Sequence, residues 1–359
     1  EITTRLVGSE MCIRDSPDTE SYVGELYVMN DRAISGVLEK YDMEVMRTMK
    51  GRGTIVCQSQ EGYRVLKEYK GRTDKLELLD KMQKSMEGSI RTDKLIRNKE
   101  GELFCKDTDG VVYILKEHIE GRECSYRSEE DIRQAFAVMA RLHLIMTRAG
   151  QQEGFEADFQ LPVRNLYWQE MNKHTRECRH IQNYLRHLKS KTDFERELLR
   201  RYDYFMEKAQ HITDLAAQEK EDKYCERIRQ AGCYYHGDYQ YHNVIFDRND
   251  ICVINMERLG KDSGVKDLYL LFRKISEKAD WSLSLGTKMI EAYERIRPLE
   301  DWERRQLACR LAYPDKFWKI VNFYYNSRKS RIPDKTVEKL DILVAQEKSR
   351  QRLIQVLFG

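Results

Sequence analysis

Apolar and polar positions alternate along the first third of the chain. Met43–Lys50 ("MEVMRTMK"), Thr54–Ser59 ("TIVCQS") and Tyr63–Tyr69 ("YRVLKEY") each repeat with period two and are separated by glycine-bearing turns. That spacing predicts a β-meander. A helix is predicted at about Thr73–Glu87, with Thr73 as N-cap and Leu76, Leu79 and Met82 at helical spacing. Lys94–Asn98 and Val111–His118 read as further strands, and Ile119–Glu123 leaves the sheet.

After Ser128 the period changes to 3.6. Ser128 followed by Asp131 has capping-box spacing, and Ile132, Ala135, Phe136, Met139 and Leu142 mark a core-facing helix. Helical, charge-laced segments fill Tyr167–Ala217 and four stretches beyond residue 264. The expected fold class is α+β: a small antiparallel β lobe (17–118) and a larger, mostly helical lobe (119–359), with a hinge near His118–Glu123. This is the organisation of a two-lobed, protein kinase-like fold. Residues 1–16 ("EITTRLVGSEMCIRDS") lack an apolar period and resemble translated adapter read-through, so they are set apart; the alternative is a short native disordered arm.

Composition narrows the class. Charged residues make up 34% of the chain, yet the net charge is only +3, which argues against a protein that coats nucleic acid. No apolar run is long enough to span a membrane, and no signal peptide is evident, so synthesis in the cytosol is expected. The nine cysteines are scattered without CxxC pairs, so reduced thiols are expected and a zinc site is not.

The candidate chemistry lies in "CYYHGDYQYHNVIFDRNDICVINMERLG", Cys233–Gly260. His236-Gly237-Asp238 followed by Asn243 has the H-x-D-x-x-x-x-N spacing of a kinase catalytic loop. In such a loop Asp accepts the substrate hydroxyl proton and Asn binds Mg²⁺. A predicted hairpin, Val244–Phe246 and Ile251–Ile254, returns the next residue beside Asn243. A second metal-binding Asp belongs there, but the residue is Asn255, with Glu257 two positions on. An amide oxygen can touch Mg²⁺ but brings no charge. Glu257 either supplies the missing carboxylate or pairs with a nearby base such as Arg258 or Lys261. Lys67, on the third strand, sits where a kinase places the lysine that meets ATP phosphates, with Glu77 as its expected partner and Glu87 as second choice. Gly51-Arg52-Gly53 either covers nucleotide, with Lys50 and Arg52 near phosphate, or is a plain turn. His143 reads as a packing histidine, and His174, His180 and His187 as solvated. Trp318, Tyr324 and Tyr325 read as a core stripe.

"YYHGDYQYHNVIFD" resembles the motif of the aminoglycoside phosphotransferase and choline kinase superfamily. "GYRVLKEYKG", "VKDLYLLFRKISEK", "PDKFWKIVNFYYNSRKSRIP" and "EKLDILVAQEK" resemble spore coat proteins of the CotS type. The resemblance covers nearly the whole chain after residue 16. It implies a catalytic base at Asp238, a metal ligand at Asn243 and an aspartate at Asp267 that buttresses the loop. It also implies sporulation, residence in the spore coat and other coat proteins as partners. Two functions follow: a structural pseudokinase of the coat with weakened or absent catalysis, or an active ATP- and Mg²⁺-dependent phosphotransferase acting on a small hydroxyl compound or a coat component.

Overall fold

A computed structural model describes residues 32–51, 53–155, 161–163, 166–248, 250–326 and 334–359. The prefix 1–16 and Arg52 lie outside the described residues.

The described residues open with a short helix that the alternation did not predict, α1 (Arg32–Leu38). It places Val37, Leu38 and, just beyond it, Tyr41 against Cys57, Leu66 and Leu115 of the sheet. The strands that follow are β1 (Val45–Lys50), β2 (Ile55–Ser59) and β3 (Gly62–Glu68). Helix α2 (Lys75–Ser85) leads to β4 (Arg91–Thr92), β5 (Leu95–Ile96), β6 (Cys105–Lys106) and β7 (Val112–Glu117). The N-cap of α2 is Asp74 rather than the expected Thr73, and its side chain makes no capping bond. The main sheet is antiparallel in the order β1-β2-β3-β7-β5, with β6 also on β7.

Beyond it come β8 (Arg122–Glu123), α3 (Glu129–Gly150), α4 (Tyr167–His187), α5 (Asp193–Ala216) and α6 (Glu221–Ala231). Next are β9 (Tyr234–Tyr235), β10 (Val244–Asp247), β11 (Asp250–Val253) and β12 (Gly260–Lys261). Five helices close the chain: α7 (Val265–Lys278), α8 (Leu283–Glu294), α9 (Asp301–Ala312), α10 (Asp315–Asn326) and α11 (Asp334–Phe358). The Ser128 cap of α3 forms as the spacing predicts: its hydroxyl accepts from Asp131 N at 3.2 Å. The stretch Trp302–Asn326 breaks into α9 and α10 at Tyr313-Pro314, because proline disfavours helical backbone in the residue before it. This is a two-lobed protein kinase-like fold.

A second sheet, β4-β11-β10-β8, joins segments on both sides of residue 119. In it β11 pairs in parallel with β4, and β10 pairs with β8. Arg91 and Asp247 add an ion pair at 2.9 Å. One hydrophobic core runs without interruption from α2 through α3 and the β10–β11 hairpin to α7 and α8. The residues that follow the hairpin are therefore held by packing as well as by strand pairing.

Candidate functional site

The loop from His236 to Asn243 is fixed from below by three buried side chains. Asp267, in the first turn of α7, accepts from His236 N at 2.5 Å and Gly237 N at 2.9 Å. Burial pushes its carboxyl up in pKa, but the bond from His143 and the Gly237 amide help to hold it below the usual range. His143 is itself buried, with Nε2 at 3.2 Å from Asp267 and Nδ1 at 2.8 Å from the Tyr293 hydroxyl. Burial lowers its pKa, so it is neutral, donating from Nε2 and accepting at Nδ1. It is a packing histidine, as expected, and it also braces the loop's buttress.

His236 is fully buried. Its Nε2 lies 3.0 Å from the Ile254 carbonyl, and its Nδ1 accepts from Asp238 N at 3.1 Å. Both bonds are satisfied together only by the neutral Nε2–H tautomer. His236 thus ties the loop to the end of the hairpin and has no ring nitrogen left for a proton-transfer step. Gly237 has φ +89°, and a Cβ there would sit 2.2 Å from the Arg258 carbonyl oxygen, so the position requires glycine. Asp238 accepts a short bond from the Gln240 amide, whose oxygen in turn accepts from Lys274.

Lys67, Asn255, Asn243 and Asp238 form one chain of contacts. Lys67 Nζ donates to Asn255 Oδ1 at 3.2 Å. Asn255 Nδ2 donates to Asn243 Oδ1 at 2.9 Å, and Asn243 Nδ2 donates to the Asp238 carbonyl at 2.7 Å. Asn255 is left-handed (φ +65°, ψ +48°), a conformation asparagine and aspartate tolerate better than most residues.

The partner of Lys67 differs from expectation. Glu77 makes a two-pronged bond with Arg97, both contacts at 2.9 Å, and Glu87 pairs with Lys94. The carboxylate beside Lys67 is Glu257, at 3.3 Å. Glu257 is not a surface carboxylate. It is nine-tenths buried and bound to Lys116 Nζ at 2.5 Å. Burial pushes the Glu257 carboxyl up, yet Lys116 and Lys67 more than offset this and hold its pKa at about 2.

Lys116, an unremarked strand lysine in the sequence, is the centre of the site. It lies on β7 and is 2% exposed. Its ammonium contacts Asp93 at 2.5 Å, Glu257 at 2.5 Å and Asn255 Oδ1 at 2.9 Å. Burial disfavours its charge, but the two carboxylates outweigh that and raise its pKa. Asp93 also accepts from Asn255 N at 3.1 and 3.0 Å. Lys75, at the start of α2, donates to the Glu257 carbonyl at 3.2 Å, and burial lowers its pKa to about 8.

Mg²⁺ needs oxygen ligands with free lone pairs and favours carboxylates. Here Asn255 Oδ1 accepts from two ammonium groups, Asn243 Oδ1 accepts from Asn255, and Glu257 is engaged by two lysines. This arrangement does not fit a divalent cation. A phosphate fits better, because the Lys67 side chain remains 28% exposed. Gly51 and Gly53 form the turn between β1 and β2, where Gly51 N donates to Thr54 O at 2.8 Å and Gly53 has φ +64°.

Among the remaining aromatic and histidine positions, His174 is not solvated as expected. It stacks on Trp318 at 3.4 Å between ring centroids. His180 and His187 are exposed. Tyr324, Tyr325 and Trp318 pack against a helical core cluster that includes Phe194 and Phe317.

The model of a family described as "Spore coat putative kinase YutH" matches residues 35–357. No curated protein matches the chain in sequence. Among solved structures, an aminoglycoside phosphotransferase from Alicyclobacillus acidocaldarius superposes with a TM-score of 0.75 at 17% identity, covering 90% of this chain and 94% of that one. A spectinomycin phosphotransferase in complex with ADP and spectinomycin gives 0.58 at 13% identity, covering 91% and 96%. An amicoumacin kinase in complex with AMP-PNP, Ca²⁺ and its ligand gives 0.54 at 13%, covering 86% and 88%. At these identities the likeness establishes the fold.

Proposed function

The chain belongs to the YutH family of spore coat kinase-like proteins, and from that premise we propose that it serves the coat as a scaffold on a kinase fold, without a working phosphoryl-transfer cycle. The observation that carries this reading is the state of Asn255. Its amide oxygen faces Lys67 and Lys116, and its amide nitrogen donates to the other candidate metal ligand, Asn243. Replacing a metal-binding carboxylate by this amide removes a unit charge. That is worth roughly 4 kcal/mol per unit charge at about 4 Å and an effective dielectric near 20, before desolvation is counted. Other coat proteins are its proposed partners, through surface contacts. A nucleotide remains a ligand of the cleft through Lys67, bound weakly and with little response to Mg²⁺.

An active phosphotransferase on a small hydroxyl compound is the second reading. It is favoured by Asp238, whose loop His236 and Asp267 hold in place. Nucleotide calorimetry and ATP turnover separate the two. The scaffold reading expects no turnover above that of Asp238→Asn, and unchanged coat incorporation in that variant. Mg²⁺-dependent turnover by the wild type that falls by about 10²–10⁴ in Asp238→Asn would overturn it.

A further inference from the structure

We infer that Lys116 is an internal cation that closes the cleft to divalent metal, so that Asn255 is only half of the departure from a metal-binding kinase site. This deepens the scaffold reading above and rests on it. The ammonium of Lys116 is not a bystander: it touches the Asn255 amide oxygen, at the position of the second metal ligand, and both nearby carboxylates. With Lys67 and Lys75 beside the same residues, three lysines face two carboxylates, Asp93 and Glu257. The cluster therefore carries no negative charge to offer a divalent ion. A metal brought to Asn255 would also stand close to a buried like charge that cannot withdraw, since Lys116 is only 2% exposed.

The consequence is a dependence of one substitution on the other. In Asn255→Asp the new carboxylate meets two ammonium groups already in place, Lys116 at 2.9 Å and Lys67 at 3.2 Å. It pairs with them and gains no affinity for metal. When Lys116 is removed as well, two lysines, Lys67 and Lys75, are left beside three carboxylates, Asp93, Glu257 and the new one. The balance then favours a divalent cation.

The test compares wild type, Asn255→Asp and Asn255→Asp/Lys116→Met. Melting temperature is measured in Mg²⁺ and in EDTA, and ATP binding is measured by calorimetry in the same two buffers. Wild type and Asn255→Asp are expected to show no Mg²⁺-dependent melting shift and less than about a threefold change in ATP affinity. The double variant is expected to melt higher in Mg²⁺ and to bind ATP about tenfold tighter with Mg²⁺ than without, a change of about 1.4 kcal/mol. If Lys116→Met does not fold, Lys116→Gln keeps a donor for the two carboxylates and takes its place. A clear Mg²⁺ response in Asn255→Asp alone overturns the inference, as does a folded double variant with none. A silent wild type with a responsive Asn255→Asp sinks this inference alone. Mg²⁺-dependent turnover by the wild type sinks the scaffold reading with it.

Discussion

Glu257→Gln isolates one charge in the buried cluster while keeping side-chain shape. The Glu257 pKa falls from an ordinary 4.5 to about 2 on folding, because Lys116 and Lys67 outweigh its burial. A carboxyl depressed in this way stabilises the fold above its unfolded pKa and loses that contribution as pH falls through the folded value. At about 1.4 kcal/mol per pKa unit, the shift corresponds to roughly 3 kcal/mol at neutral pH. The residue is only 10% exposed, so solvent screening removes little of this. An independent figure agrees: deleting one partner of a buried ion pair typically costs about 3–5 kcal/mol. The assay is urea unfolding of wild type and variant at pH 7, 5, 4 and 3. The stability gap should be near 3 kcal/mol at pH 7, hold to about pH 5 and narrow below pH 4.5. A gap under about 1 kcal/mol at pH 7, or one that does not change with pH, would show that Glu257 is not ionised and paired as described.

Two further substitutions probe the loop. Gly237→Ala places a Cβ 2.2 Å from the Arg258 carbonyl oxygen in a left-handed backbone; it should cost about 3 kcal/mol or more in denaturant unfolding, and a neutral result would show that the loop path is wrong. Asp267→Asn exchanges a carboxylate that accepts from two backbone amides and His143 for an amide with one acceptor; a loss of about 2–3 kcal/mol is expected, with faster hydrogen exchange at the His236 and Gly237 amides as the specific sign.

The architecture was legible because each lobe has its own period. Alternation marked β1, β2, β3 and β7, and the stretch Val265–Lys278 became α7 over its whole length. The catalytic-loop motif was legible because its spacing is local. Lys116 was not. In "VVYILKEH" it looks like an ordinary strand lysine, and its burial depends on partners 23 and 141 residues away. The assignment of Glu77 failed for a reason the helix period contains. Leu76, Leu79 and Met82 set the inward face of α2, and the polar residues buried on that helix are Asp80 and Gln83. Glu77 sits off that face, within reach of Arg97. The α1 helix was missed because seven residues are too few for a helical period to stand out.

The sheet β4-β11-β10-β8 changes what the peptide at residues 118–123 is for. Backbone pairing between β4 and β11, the Arg91–Asp247 pair and the Lys116–Glu257 contact all cross from one side of residue 119 to the other. The covalent link there is one tether among several. A nick there would leave two fragments that remain docked, as in a split protein that reassembles without a linker. The same contacts make the two halves poor modules for exchange, because each carries charges whose counter-ions lie on the other.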